Sequence, residues 1–121
     1  MTRVKLCGMT RPEDVAGAVE LGAEFVGVIL AGGRRTLTPA RASEVLAPAR
    51  GRVLTVGVFG VTDASDVASV AAAVGLDVVQ LHADPTPADV AAVRAVFDGP
   101  VWAAARLDGP ALGDAAMLYD V

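Results

Sequence analysis

Cysteine, lysine and tryptophan each occur once in these 121 residues, and aromatic side chains make up only 4% of the chain. A single cysteine excludes an internal disulfide and suits a reducing compartment, so the expected location is the cytoplasm. Ten basic residues against fourteen acidic ones leave a net charge of −4, and no basic stripe interleaved with aromatics offers itself to nucleic acid. No apolar run approaches the roughly 20 residues that a membrane helix needs, and no charged-then-apolar leader precedes the first apolar segment. Neither a nucleic acid nor a membrane is expected as a partner.

What the chain has instead is small aliphatic residues, with 54% of its positions hydrophobic. That composition suits repeated βα units whose strands are covered on both faces, and the length suits one domain with a modest core. VKLCGMT at 4–10 reads as a buried first strand that carries Cys7 to its carboxyl end, where Gly8 turns the backbone away. Thr10 followed by Glu13 predicts a capping box, and Pro12 falls in the first helical turn, where its missing N–H costs nothing. Helix one then covers about 11–21 and stops at Gly22.

The rhythm repeats. EFVGVIL at 24–30 predicts strand two, and AGGRRTLTP follows as a Gly-rich loop with Arg34 and Arg35. Thr38 and Pro39 open helix two. Strand three is VLTVGVF at 53–59, and Thr62 or Asp63 caps a helix that runs to Val74 and stops at Gly75. DVVQLH at 77–82 predicts strand four, Thr86 and Pro87 open a helix ending near Phe97, and VWAAAR at 101–106 predicts strand five. Gly109, Pro110 and Gly113 then leave room for one or two helical turns, before a sixth apolar segment, AMLYDV at 116–121, reaches Asp120.

Strands alternating with helices on short links imply a parallel sheet with right-handed crossovers. A doubly wound, flavodoxin-like sheet closes at about this length, whereas a (βα)8 barrel needs at least roughly 200 residues. Length favours the first, and the placement of reactive side chains favours the second. Cys7, Arg34 and Arg35, His82, Arg106 and Asp120 all fall at the carboxyl ends of predicted strands, which a barrel gathers at one mouth. A thiol facing a carboxyl group makes a base and acid pair, and arginine suits a planar carboxylate.

Each residue also has a plainer reading. Cys7 alone is a small hydrophobe, Asp120 a solvated carboxylate, Arg34 and Arg35 a solvated loop tip, His82 a loop cap and Arg106 half of an ordinary ion pair. A receiver domain of similar length would need an acidic pair after strand one, an aspartate after strand three and a lysine after strand five. Those places hold Gly8, Gly60 and Leu107.

Taken with their flanking sequence, VKLCGMTRPEDV at 4–15, RTLTP at 35–39, VGVF at 56–59 and DVVQLHADP at 77–85 closely resemble the phosphoribosylanthranilate isomerase family of tryptophan biosynthesis. The resemblance implies a (βα)8 TIM barrel, here an incomplete one of about six parallel strands and four to five helices, with 1–121 as a single partial domain. It implies an Amadori rearrangement of N-(5′-phosphoribosyl)anthranilate, with Cys7 as general base, Asp120 as general acid and Arg35 on the anthranilate carboxylate. His82 matches the family's histidine at the site mouth. Arg106, from its place after strand five, is a further substrate-binding candidate. Thr36 stands where the family has an aromatic residue, and Ala83 where it has glycine.

The family needs no cofactor and no metal ion, and its partner is a small phosphosugar. The resemblance covers strands one to six of eight, and such barrels hold phosphate in the loops after strands seven and eight. Two roles are therefore expected. One is isomerase activity completed by a further barrel segment or a second copy, and the other is a catalytically incompetent fragment or assembly module.

Overall fold

The computed structural model describes residues 2–60, 63–82 and 84–104, and within them the strands lie side by side in the order in which they occur in the sequence. The elements are β1 (Lys5–Leu6), α1 (Pro12–Glu20), β2 (Phe25–Ile29), α2 (Pro39–Leu46) with a 3-10 turn at Ala47–Ala49, β3 (Leu54–Phe59), α3 (Ala64–Val74), β4 (Val78–Leu81), α4 (Pro87–Arg94) and β5 (Val101–Ala103). All neighbours are parallel, in the order β1-β2-β3-β4-β5. A doubly wound sheet reverses its order at a switch point and carries helices on both faces. An unreversed order with right-handed crossovers leaves every helix on one side. Successive helices accordingly pack against one another as a single layer. The flavodoxin-like alternative is excluded, and the fold is a partial (βα) barrel.

The sheet is also curled. The Lys5 ammonium on β1 donates to the Gln80 carboxamide oxygen on β4 and lies 6.0 Å from the centre of the Trp102 ring on β5. In a flat sheet, with strands about 4.8 Å apart, β1 and β5 would be separated by about 19 Å. The contact requires a concave inner face. β5 ends at Ala103; Ala105 and Arg106 of expected strand five, the expected fifth helix, and the sixth segment with Asp120 lie outside the described residues.

Two unequal clusters hold the layers together. On the outer face Val26, Val28, Val79, Leu81 and Val101 meet Val15, Val45, Leu46, Val67, Val74, Val90 and Val93 from the helices. Each such side chain contributes roughly 1.5–3 kcal/mol when fully buried. Glycine at 57 lets this layer close, because a Cβ there would stand 2.3 Å from Leu76 Cδ1. The inner cluster is only Phe25, Val56 and Val78 with Trp102 against them. Phe25 and Trp102 meet edge to face with ring centres 4.9 Å apart.

Local signals set most of the helix ends. The Thr38 hydroxyl accepts from Arg41 N, Asp63 accepts from Ser65 N, and Thr86 and Asp89 form a reciprocal capping box. Gly75 ends α3 in the left-handed conformation at φ 79°. Hydrogen bonds from the Ser65 side chain and then from backbone N–H groups hold the Asp63 carboxyl below its ordinary pKa. The capping box expected at Thr10 does not form. Arg11 is the N-cap, its side chain caps no backbone N–H of the helix, and its guanidinium pairs with the Glu13 carboxylate at 3.0 Å.

At the amino-terminal end of the strands, Asp77 accepts from Thr55 N at 2.9 Å and from the Thr55 hydroxyl at 3.1 Å. Arg3 bonds Glu24 at 2.7 Å and lies over the Phe25 ring. Arg50 donates to the Val74 and Gly75 carbonyls at the end of α3. No helix among the described residues is long and apolar enough to cross a membrane.

Candidate active site

Cys7 stands immediately past β1, where the chain leaves the sheet. Gly8 makes the turn at φ 73°, in the left-handed region that other residues rarely adopt. Its missing side chain matters a second time, because a Cβ there would lie 2.2 Å from Arg35 Nη1. The turn is tied to β2 by Met9 N donating to the Gly27 carbonyl at 3.0 Å. Gly27 in turn leaves room for the thiol, since a Cβ on it would be 3.3 Å from Cys7 Sγ. Strand alternation places Cys7, Lys5 and Gly27 on the concave face, and Cys7 is exposed.

Arg35 arrives from the loop after β2. Gly32 at φ 44° and Gly33 at φ 105° reverse the chain. Leu37 N then donates to the Ile29 carbonyl at 2.9 Å, and Thr36 bridges to Ile29. The loop is thereby folded back along its own strand, which lays the Arg35 guanidinium over Gly8. His82 follows β4 and extends its ladder by one bond, its N–H donating to the Phe59 carbonyl at 2.7 Å.

These three residues line one cleft of about 430 Å³ at the carboxyl ends of the strands, together with Ile29, Val58 and Gln80. Arg34, its neighbour in sequence, is exposed and does not line the cleft. Arg106 and Asp120 lie outside the described residues, so the site is described from Cys7, Arg35 and His82. Among the described residues, no cluster of three His, Cys, Asp or Glu is arranged to hold a metal ion.

The cleft joins a thiol and a guanidinium with an imidazole at its edge. Arg35 makes no hydrogen bond or ion pair among the described residues, so its fork of donors is available to an anion of matching planarity. A larger hollow of about 500 Å³ opens at the opposite end of the strands, lined by Arg3, Glu24, Arg52 and Asp77. Arg3, Glu24 and Asp77 there are held by protein partners, and that end of a βα barrel serves stability rather than chemistry.

Sequence reasoning missed two polar residues on the concave face. Gln80 lines the cleft, and Lys5 holds it from across the sheet. A signal for Gln80 was present, because positions 78, 80 and 82 share a face and 80 is polar within an apolar strand. Its partner is 75 residues away, beyond the reach of any local pattern.

Comparison with known proteins places this geometry. A family model described as N-(5′-phosphoribosyl)anthranilate (PRA) isomerase matches residues 4–108. The N-(5′-phosphoribosyl)anthranilate isomerase of Rhodospirillum centenum is 38% identical over 119 residues, which are 98% of this chain and 56% of that protein. The enzyme of the same name from Paracoccus denitrificans is 39% identical over 123 residues, 98% of this chain and 57% of the relative. The chain thus spans about half the length of the curated relatives it matches.

Among solved structures, the phosphoribosyl anthranilate isomerase of Thermus thermophilus superposes with a TM-score of 0.77 at 37% identity, covering 92% of this chain and 55% of that one. A phosphoribosyl anthranilate isomerase in complex with reduced 1-(o-carboxyphenylamino)-1-deoxyribulose 5-phosphate gives 0.78 at 31% identity, covering 85% and 53%. On the matched span and the shared barrel architecture, this chain belongs to the N-(5′-phosphoribosyl)anthranilate isomerase family.

Proposed function

We propose that the protein acts as a phosphoribosylanthranilate isomerase, converting N-(5′-phosphoribosyl)anthranilate to 1-(2-carboxyphenylamino)-1-deoxyribulose 5-phosphate. The observation that carries the reading is the cleft in which Cys7 and Arg35 meet at the carboxyl ends of the strands. A family structure binds a reduced form of that aminoketone product, which is the class of ligand proposed for this cleft.

In the proposed mechanism Arg35 takes the anthranilate carboxylate in a bidentate, charge-assisted pair. Asp120, protonated, gives its proton to the furanose ring oxygen as the C1′–O bond breaks and the anthranilate nitrogen becomes a Schiff base. Cys7, as thiolate, removes the proton from C2′, and the electron pair flows into an enolamine that tautomerises to the aminoketone. The base must be ionised while the acid is neutral, so the two groups need environments that push their pKa values in opposite directions. His82 borders the substrate at the mouth, and Arg106 is assigned to substrate binding from its place after strand five. The reaction moves protons within one molecule and uses no external oxidant or reductant.

Residues 1–121 are read as one partial barrel unit in a cytoplasmic protein. Association with the rest of a barrel, supplied by further chain or by a second copy, would furnish the phosphate loops and cover the concave face. Half-buried Trp102 on that face and the single neighbour that β1 and β5 each have among the described residues support this assembly. The test joins intact mass with a fluorescence assay of phosphoribosylanthranilate turnover on one sample. Turnover that disappears in both Cys7→Ser and Asp120→Asn supports the reading. Stable, folded protein with no turnover in any assembly would leave the scaffold role in its place.

A further inference from the structure

Lys5 and Gln80 form a polar pair across the concave face. Lys5 is the only lysine of the chain, is partly buried and has no carboxylate at ion-pair distance among the described residues. Its ammonium donates to Gln80 Oε1 and lies over the Trp102 ring, which is packed against Phe25. Lysine adds nothing to such a wall that methionine would not supply without desolvating a charge.

What the lysine does is fix an amide. A carboxamide has an accepting end and a donating end, and its orientation follows from its neighbours. An ammonium has donors only, so the end of Gln80 that meets Lys5 must be the oxygen. The NH2 end is then turned away from Lys5, with two donors at its disposal. Gln80 lines the cleft that holds Cys7 and His82, and its inward position lies one pleat repeat below His82, as Lys5 lies one below Cys7.

We propose that Gln80 is a ligand-contacting residue whose NH2 group donates to an oxygen of the sugar moiety bound beside Cys7, and that Lys5 is the positioning residue that holds the amide in that orientation. The proposal rests on the reading of the cleft as a phosphosugar site. It adds a donor on the cleft wall to the Arg35 fork, so that the two ends of the substrate are read by different groups. An oxygen-poor analogue would leave that donor unpaired, which costs more than the bond itself gains.

The test compares kcat and KM on phosphoribosylanthranilate, and the melting temperature, in the complete protein. Gln80→Glu is the informative variant, because it keeps a partner for Lys5 and exchanges the donor for an acceptor. Its expected signature is kcat/KM lowered about tenfold or more with a melting temperature at or above wild type. Lys5→Met should cost a similar factor, Lys5→Met combined with Gln80→Leu should cost no more than the worse single change, and Lys5→Arg should recover activity to within about threefold of wild type. Wild-type kcat/KM in Gln80→Glu, or losses in Lys5→Met and Gln80→Leu that multiply, would overturn the proposal.

A second readout separates this idea from the functional reading. The Gln80 side-chain NH2 resonances are followed by NMR as millimolar ribose 5-phosphate is added. Resonances that move in the wild type and not in Lys5→Met uphold the inference even if the protein turns over no substrate. Resonances that stay put defeat it even if the protein is an active isomerase.

Discussion

The two ends of the sheet use polar side chains in opposite ways. At the amino-terminal end Asp77 is bonded by Thr55, Arg3 by Glu24, and Arg50 closes the carbonyl end of α3. At the carboxyl end the side chains of Cys7, Arg35 and His82 make no hydrogen bond or ion pair among the described residues. Both ends belong to the same five strands, so the difference is one of assignment and not of architecture. Donors and acceptors already taken up by protein partners stabilise the fold, whereas those left to water can exchange that water for substrate.

Substitutions at the two ends should therefore separate activity from stability. The largest effect is expected for Cys7→Ser, which should lower kcat about a thousandfold, as for the loss of a general base, while the melting temperature stays near that of wild type. Steady-state kinetics and calorimetry on the same preparation check both halves. Arg35→Met should follow, lowering kcat/KM roughly 10- to 100-fold through lost charge-assisted hydrogen bonds, chiefly as a rise in KM. A large fall in melting temperature for either variant would break the comparison.

Thr55→Val works from the other end. Removing its hydroxyl from Asp77 should cost about 1–2 kcal/mol of stability in denaturant titration and leave kcat/KM unchanged. Asp63→Ala, which removes the cap of α3 and does not touch the cleft lining, should do least. Hydrogen bonds from Ser65 hold the folded pKa of Asp63 below its ordinary value. The cap's contribution is therefore complete above the unfolded pKa of about 4, and is lost as pH falls through the lower folded value. The alanine variant should show a shallower loss of melting temperature below about pH 4, with unaltered turnover at neutral pH.

What could be read in the chain beforehand divides by sequence separation. Thr38, Asp63, Gly75 and Thr86 act on backbone groups within a turn of themselves, and each does what its local pattern predicts. Thr10 carried the same pattern and failed, because the helix begins one residue later: Arg11 is the N-cap, which leaves Glu13 at the second helical position and not at the third that the box requires. The meeting of Cys7, Arg35 and His82 was legible only through the barrel hypothesis, since no local rule joins positions so far apart. The choice of barrel over doubly wound sheet could not come from length or rhythm, because both folds share the βα repeat and differ only in strand order. Strand alternation puts Lys5 on the face opposite Leu6. That its ammonium crosses β2 and β3 to reach β4 depends on curvature, which periodicity does not record.

The strand order has one more consequence, for the way the molecule is built. Each strand pairs with the one made immediately before it, so every βα unit emerging from a ribosome finds its docking edge already present, and folding can follow synthesis without waiting for a distant partner. The Lys5–Gln80 bond is different. It joins residues 75 positions apart, and it cannot form until the fourth strand has been laid down and the sheet has begun to close on itself.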